Sequence, residues 1–142
     1  MCILHMYWTE QVGPNLHFSN FSVVSVGGGS PSDAAIIPPH PSLSYPPRYL
    51  GHRPAFGMFV RRAKGLSLSA VGVSFAAADG RPAFILSDVH GVTIDSAVTA
   101  ERSVPSIGFD IGLRDKCDGL EVGAGSSLVL RNVSGSVSDG RG

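Results

Sequence analysis

The chain has 142 residues, a formal net charge of zero and only 15% charged residues, against roughly 25% in an average globular domain. This length is enough for one domain with a buried core, and the balanced charge gives no electrostatic reason to expect a nucleic-acid partner. No stretch reaches the ~20 apolar residues of a membrane span. We therefore predict a single domain over residues 1–142 that binds neither nucleic acid nor membrane.

Residues 1–15 show no periodic pattern, and we predict an irregular lead there. The first eight residues lack the basic start and the apolar run of a secretory signal, so we expect no export signal in this chain. We also consider that the chain is a fragment of a longer protein. Cys2 and Cys117 lie at opposite ends, and so isolated a pair is typical of two free thiols rather than a disulfide.

The first strand signal covers residues 16–26, where Leu16 and Phe18 alternate with His17 and Ser19. The glycine run at residues 27–29 ends this strand and predicts a tight turn. A phosphate-binding loop would need Gly-Lys-Ser/Thr followed by a helix, whereas Ser-Pro-Ser-Asp follows here.

Residues 31–54 carry seven of the ten prolines. Because proline lacks a backbone donor, it cannot sit inside a paired strand, and we predict a long loop that leaves the strand pattern. Long ordered loops often carry function. Tyr45 and Arg48 are our candidates for binding a sugar, although the tyrosines of this loop would equally suit packing against the domain.

A glycine followed by a short apolar-alternating strand occurs three times, beginning at Gly65, Gly91 and Gly119. The copies are 26 and 28 residues apart, and no copy contains a helical segment of period 3.6. This period predicts an all-β fold, a parallel β-helix (solenoid) of about four to five rungs, with the residues 31–54 loop as an excursion. We expect Leu, Ile and Val to fill the interior and glycine to allow the corner.

In the fourth rung, Leu128–Gly135 aligns on Phe84–Gly91, which places Asn132 opposite Asp88 and predicts a turn ladder of these two. His90 aligns with Lys64, Asp118 and Ser134, a set that favours a solvent-facing position rather than a ligand. The five histidines share no metal spacing. Asp115, Asp118 and Glu121 carry oxygen donors that suit calcium, but such a set is typical of a solvated corner, and we predict no metal and no cofactor.

Arg61 and Arg62 are the other candidate substrate-binding residues. Since Met58 and Val60 point inward, alternation predicts that Arg61 points outward. An exposed arginine can hold a uronate carboxylate through a bidentate pair. An ordinary solvated face is the alternative interpretation.

Several of these segments together resemble bacterial proteins of glycoside hydrolase family 28, the polygalacturonase family within the pectin lyase-like superfamily. The resemblance covers roughly residues 14–135 and implies a right-handed parallel β-helix. Its relatives at full length are expected to be secreted or periplasmic. The segments that carry it are Asn20–Val23 with Gly27–Gly29, the Pro-rich loop through Tyr45–Pro46, Pro54–Arg61, Lys64–Leu68, Arg81–Leu86 and Asp88–Val92.

The catalytic centre of that family combines Asn-Thr-Asp, Asp-Asp, Gly-His-Gly and Arg-x-Lys motifs, and its aspartates imply acid/base hydrolysis with inversion. The first three motifs are absent from this sequence. Gly51-His52-Arg53 and Arg62-Ala63-Lys64 imitate the last two, but they are too close in sequence to lie on stacked rungs. The resemblance therefore assigns no catalytic residue here.

The resemblance implies the C-terminal portion of a polygalacturonase-like hydrolase acting on pectin-type polysaccharide, inactive alone because the catalytic rungs are missing. Upstream rungs or a capping partner would complete it, because the terminal rungs of a solenoid need a cap. The alternative is a non-catalytic β-solenoid for polysaccharide binding or structural support. A third reading is a divergent enzyme with its carboxylates elsewhere.

Overall fold

The computed structural model describes residues 4–6, 15–36, 53–102 and 107–133, with residues 4–6 described by backbone alone. Within these residues the chain is all-β, with one short 3-10 helix at Pro31–Ala35. The long strands carry most of the apolar, alternating residues that the sequence analysis identified. The strands are β1 Leu4–Met6, β2 Leu16–Gly27, β3 Met58–Ala77, β4 Phe84–Ile94, β5 Thr99–Ala100, β6 Ile111–Arg114, β7 Asp118–Val122 and β8 Leu130–Asn132.

All paired strands run parallel, in the order β1-β3-β4-β6-β8, while β2 and β5 also pair with β3 and β7 pairs with β4. The sequence repeats lie side by side in register. Leu66 is opposite Val92, and Val92 is opposite Leu120. The predicted correspondence of Lys64, His90 and Asp118 is likewise confirmed.

The three repeated glycines stack on one another at a corner of the chain. Gly65, Gly91 and Gly119 all have positive φ, at 80°, 75° and 62°. A Cβ built on Gly119 would lie 3.1 Å from the Cα of Gly91, and one on Gly91 would lie 3.7 Å from the Cα of Gly65. Glycine is favoured at this corner because the backbone is left-handed and the neighbouring repeats approach closely.

A second kind of corner uses non-glycine residues in the left-handed region. Arg62 and Asp88 have φ near 56° and 54°, and each lies between residue pairs that are opposite one another on β3 and β4. Asn20 and Ala70 form the same kind of match between β2 and β3, with φ of 56° and 52°. Each such residue interrupts the alternation of inward and outward side chains by one position. After Leu68, the next inward side chain on β3 is therefore Val71 rather than Ala70.

The interior is formed by the inward residues of neighbouring repeats. Met58, Phe84 and Ile111 are opposite one another on β3, β4 and β6, and each is at most 1% exposed. Most other predicted interior positions of β3 and β4 are also buried, including Leu66, Leu68, Val71, Leu86, Val89, Val92 and Ile94. Ala97, between β4 and β5, is exposed.

The glycine run at the end of β2 packs against the Asp79-Gly80 segment that follows β3. The Gly28 amide donates to the Ala78 carbonyl at 3.1 Å, and the Gly80 amide donates to the Gly29 carbonyl at 2.9 Å. The Arg81 guanidinium reaches both oxygens of the buried Asp79 carboxylate, at 2.9 and 2.6 Å. Burial raises the pKa of Asp79, but the hydrogen bonds and charge of Arg81 outweigh it and hold that pKa below its usual value.

Two sequence predictions are wrong. The lead at residues 1–15 is not wholly irregular, because β1 pairs with β3 from Leu4 opposite Met58 to Met6 opposite Val60. Asn132 is not the counterpart of Asp88, since Asn132 lies opposite Leu113 and Leu113 opposite Leu86. The alignment was displaced by two residues, a shift that keeps every side chain on its predicted face of the strand.

Candidate functional site

Arg61 is not exposed, contrary to the alternation argument. Its side chain is only 8% exposed, and the guanidinium carbon lies 5.2 Å from the centre of the Phe59 ring. The outward side of these strands carries a second apolar cluster, formed by Ala55, Phe59, Ile85 and Phe109 with Ile107 and Val133 beside it. Both faces of the sheet are therefore covered at this point, and the strand pattern alone misassigned Arg61 to solvent.

Arg114 shows what else covers this side of the sheet. It is 2% exposed, and its guanidinium donates to the backbone carbonyls of Ala34, in the 3-10 helix, and of Ile36, just after it. Burial, followed by the neighbouring charge of Arg61, lowers the pKa of Arg114 to about 10, with Asp115 acting in the opposite direction. The start of the Pro-rich segment therefore packs against β6. The Arg114 guanidinium that holds it there is itself buried by this contact.

Arg62 and Lys64, in contrast, lie at the corner between two segments of β3. Arg62 is partly exposed and Lys64 is exposed. On the following repeats the matching positions carry Asp88 and His90, and then Asp115 and Asp118. We call these six residues the charged corner. It is basic on the β3 repeat and becomes acidic toward β7, so an anionic ligand would be attracted to the β3 end.

His90 lies at the middle of the charged corner. Its Nε2 lies 2.9 Å from Asp88 Oδ1, and its Nδ1 lies 3.0 Å from Asp118 Oδ2. The bond to Asp88 and then the bond to Asp118 raise the pKa of the imidazole above its ordinary value of 6.5, while partial desolvation opposes them. The two carboxylates therefore favour the protonated form of this imidazole.

A flat polar surface continues from the charged corner. The outward residues of β2, β3, β4 and β7 form two rows across the strands, and all are exposed or half-buried. Ser69 donates to Asp95 from one repeat to the next at 3.3 Å. We call this surface the polar face. Its first row is His17, Ser67, Thr93 and Glu121, and its second row is Ser19, Ser69 and Asp95.

This arrangement offers hydrogen bonds and charge to a ligand. Hydroxyls spaced by about 4.8 Å across parallel strands can donate and accept along an extended chain of sugar hydroxyls. Lys64 and Arg62 lie at the edge of these rows, where their cationic groups can bind a carboxylate. Arg62 was predicted from the sequence, but the polar face was not. The available signal was that a short polar residue occupies the outward position of each apolar pair, Ser67 between Leu66 and Leu68 and Thr93 between Val92 and Ile94.

The remaining predicted positions either lie outside the described residues or are carboxylates of the charged corner and the polar face that form no metal site. Tyr45, Arg48 and the Gly51-His52 part of the histidine motif lie outside the described residues. Asp115 accepts a hydrogen bond from Ser87, Asp118 contacts His90, and Glu121 lies on the polar face. Among the residues that the structure describes, no three His, Cys, Asp or Glu side chains are arranged to hold a metal ion.

Comparisons with protein-family models, with curated proteins and with solved structures found no match to this chain. Across the described ranges, no helix has the length and apolar character required to cross a bilayer. The charged corner and the polar face are therefore the features of the described residues that bear on function.

Proposed function

We propose that the chain is a right-handed parallel β-helix of four to five rungs, and that it is the C-terminal portion of a polygalacturonase-like glycoside hydrolase. The in-register pairing of repeats 26 to 28 residues apart supports this fold. Right-handedness follows from the strong preference of parallel crossover connections for that hand. The exposed ends agree with further rungs or a capping partner, because Phe18 on β2 is only partly buried and Val122 on β7 is 37% exposed.

The function we assign to this portion is binding of a uronate-containing polysaccharide without hydrolysis. The observation that carries it is the placement of Lys64 and Arg62 beside the rows of hydroxyls on the polar face. A uronate carboxylate would contact the two cations, and its ring hydroxyls would contact Ser67 and Thr93. The Asn-Thr-Asp, Asp-Asp and Gly-His-Gly motifs of the family are absent from this sequence, and we therefore assign binding without hydrolysis.

Replacing Lys64 and Arg62 together by alanine should weaken binding of oligogalacturonate by at least about tenfold, since each charge-assisted hydrogen bond contributes roughly 1.5–3 kcal/mol where it is formed. Isothermal titration calorimetry at low salt measures this, and higher salt should reduce the affinity of the unchanged protein. Arg131→Ala is the matched control, because Arg131 is an exposed cation on β8, away from the polar face.

Two further arms separate the alternatives. A neutral oligosaccharide of equal length should bind more weakly than oligogalacturonate, and equal binding would contradict the role of the cations. Release of reducing sugar from polygalacturonate would overturn the non-catalytic assignment and support a divergent enzyme. Absence of any binding would leave structural support as the function of this β-solenoid.

A further inference from the structure

The His90 contacts join two successive repeats of the sheet. Asp88 belongs to the same strand as His90, whereas Asp118 is the first residue of β7, on the next repeat. His90 and Asp118 are also opposite one another in the strand pairing. The imidazole therefore adds a side-chain connection at the point where β7 begins to pair with β4.

Both contacts require a proton on each ring nitrogen. A carboxylate can only accept hydrogen bonds, and a neutral imidazole has one N–H and one lone pair. Deprotonation must therefore turn one contact, to Asp88 or to Asp118, from a hydrogen bond into a repulsion between two acceptors. Among the described residues, the other charges near this position are Arg62 and Lys64 on β3, matching Asp88 and His90, and Asp115 and Lys116 in the turn before β7.

Besides its backbone pairing with β4, β7 has few side-chain attachments among the described residues. Four of its five residues are exposed, and Leu120, packed against the core, is only partly buried. Cys117, just before the strand, is half-buried, with its sulfur 3.3 Å from the Arg114 carbonyl and 3.5 Å from the Leu86 carbonyl. A local opening of β7 would therefore uncover this thiol without exposing the interior between β3 and β4.

We propose that His90 is a pH-dependent switch. It stabilises the pairing of β7 with β4 while the imidazole is protonated, and this stabilisation is lost when the imidazole is neutral. The pKa of His90 is raised in the folded chain. Its stabilising contribution is therefore complete below the unfolded value of about 6.5 and is lost as the pH rises through the higher folded value. This device is independent of the sugar-binding proposal.

Hydrogen exchange of the β7 amides tests the proposed switch at His90. Protection factors, corrected for the intrinsic pH dependence of exchange, should fall about two- to fivefold between about pH 5.5 and about pH 8.5, in keeping with an exposed ion-pair contribution. His90→Gln should abolish this change, because its amide does not titrate. The amides of Leu66 and Leu68 on β3 serve as internal controls and should keep their protection.

A second variant and a direct titration make the result decisive. Asp118→Asn, at an exposed position, should reduce the pH effect and lower the pKa of His90 measured by NMR. In a Cys2→Ser chain, the labelling rate of Cys117, corrected for thiolate fraction, should rise over the same pH range. The proposal is overturned if β7 protection falls equally in His90→Gln, or if His90 titrates at or below 6.5.

Discussion

Phe84→Ala should lower the free energy of unfolding by about 3–5 kcal/mol. The ring is 1% exposed and lies between Met58 on β3 and Ile111 on β6, so its removal leaves a cavity shared by three neighbouring repeats. Because strands on both sides fix the backbone, the site has little freedom to collapse. Urea unfolding followed by circular dichroism gives the difference.

Val24→Ala is the control for this measurement. Val24 lies on β2 and is 58% exposed, so its truncation should change the free energy of unfolding by no more than about 0.5 kcal/mol. A loss below about 1 kcal/mol for Phe84→Ala would mean that this ring is not enclosed by neighbouring repeats. Equal effects of the two substitutions would contradict the inward assignment of β4.

Gly27→Ala should destabilise the fold by about 1–3 kcal/mol more than Gly28→Ala. Both glycines have left-handed backbones, with φ of 84° and 90°, so both substitutions incur the same conformational cost of roughly 1–2 kcal/mol. Only Gly27 is crowded, because a Cβ there would lie 1.9 Å from the Ala77 carbonyl oxygen, whereas nothing lies within 4 Å of the one on Gly28.

This pair of neighbouring variants separates steric contact from backbone strain. Thermal unfolding monitored in parallel for both variants is sufficient. If Gly28→Ala is as destabilising as Gly27→Ala, the close approach of the end of β2 to the end of β3 is wrong. If neither variant loses stability, the left-handed turn at residues 27–28 is wrong as well.

The sequence predicted the parallel, all-β character of the fold because its strongest signal is local. Leu66 and Leu68, and Val92 and Ile94, alternate after a glycine at a fixed offset, and each such unit is readable within eight residues. A glycine at the same place in successive units also marks a corner that side chains cannot occupy. These two signals together place the units side by side.

The left-handed corners at Arg62, Asp88 and Asp115 were not predicted, because the corner on β3 carries an arginine where the other two carry an aspartate, and arginine rarely adopts this backbone conformation. The register of β8 was also missed. Only 19 residues separate Ile111 from Leu130, against 27 between Phe84 and Ile111. The earlier period therefore gives no guide to the last pairing.

The charged corner was predicted only in part, since side-chain contacts between repeats depend on register. Alignment of Lys64, His90 and Asp118 identified one column of the corner. It could not show that Asp88, two residues earlier, turns back to the same imidazole. The burial of Arg61 depends on residues distant in sequence, because Arg61 contacts Phe59, whose apolar cluster includes Phe109, and no local pattern contains that information.

Cross-linking of the polar face tests the central claim, that successive repeats lie on adjacent strands in register. In a chain with Cys2→Ser and Cys117→Ser, Ser67→Cys is combined either with Thr93→Cys or with Glu121→Cys. Ser67 lies opposite Thr93, and Thr93 opposite Glu121, so the Cα separations are about 4.8 Å and about 9.6 Å.

A disulfide spans Cα distances of roughly 4.4–6.8 Å. Mild oxidation should therefore close the bond between positions 67 and 93 and leave positions 67 and 121 as free thiols, as measured by the mass of the intact chain. A bond between 67 and 121, or none between 67 and 93 while both thiols react with a labelling reagent, would contradict the stacking of the repeats.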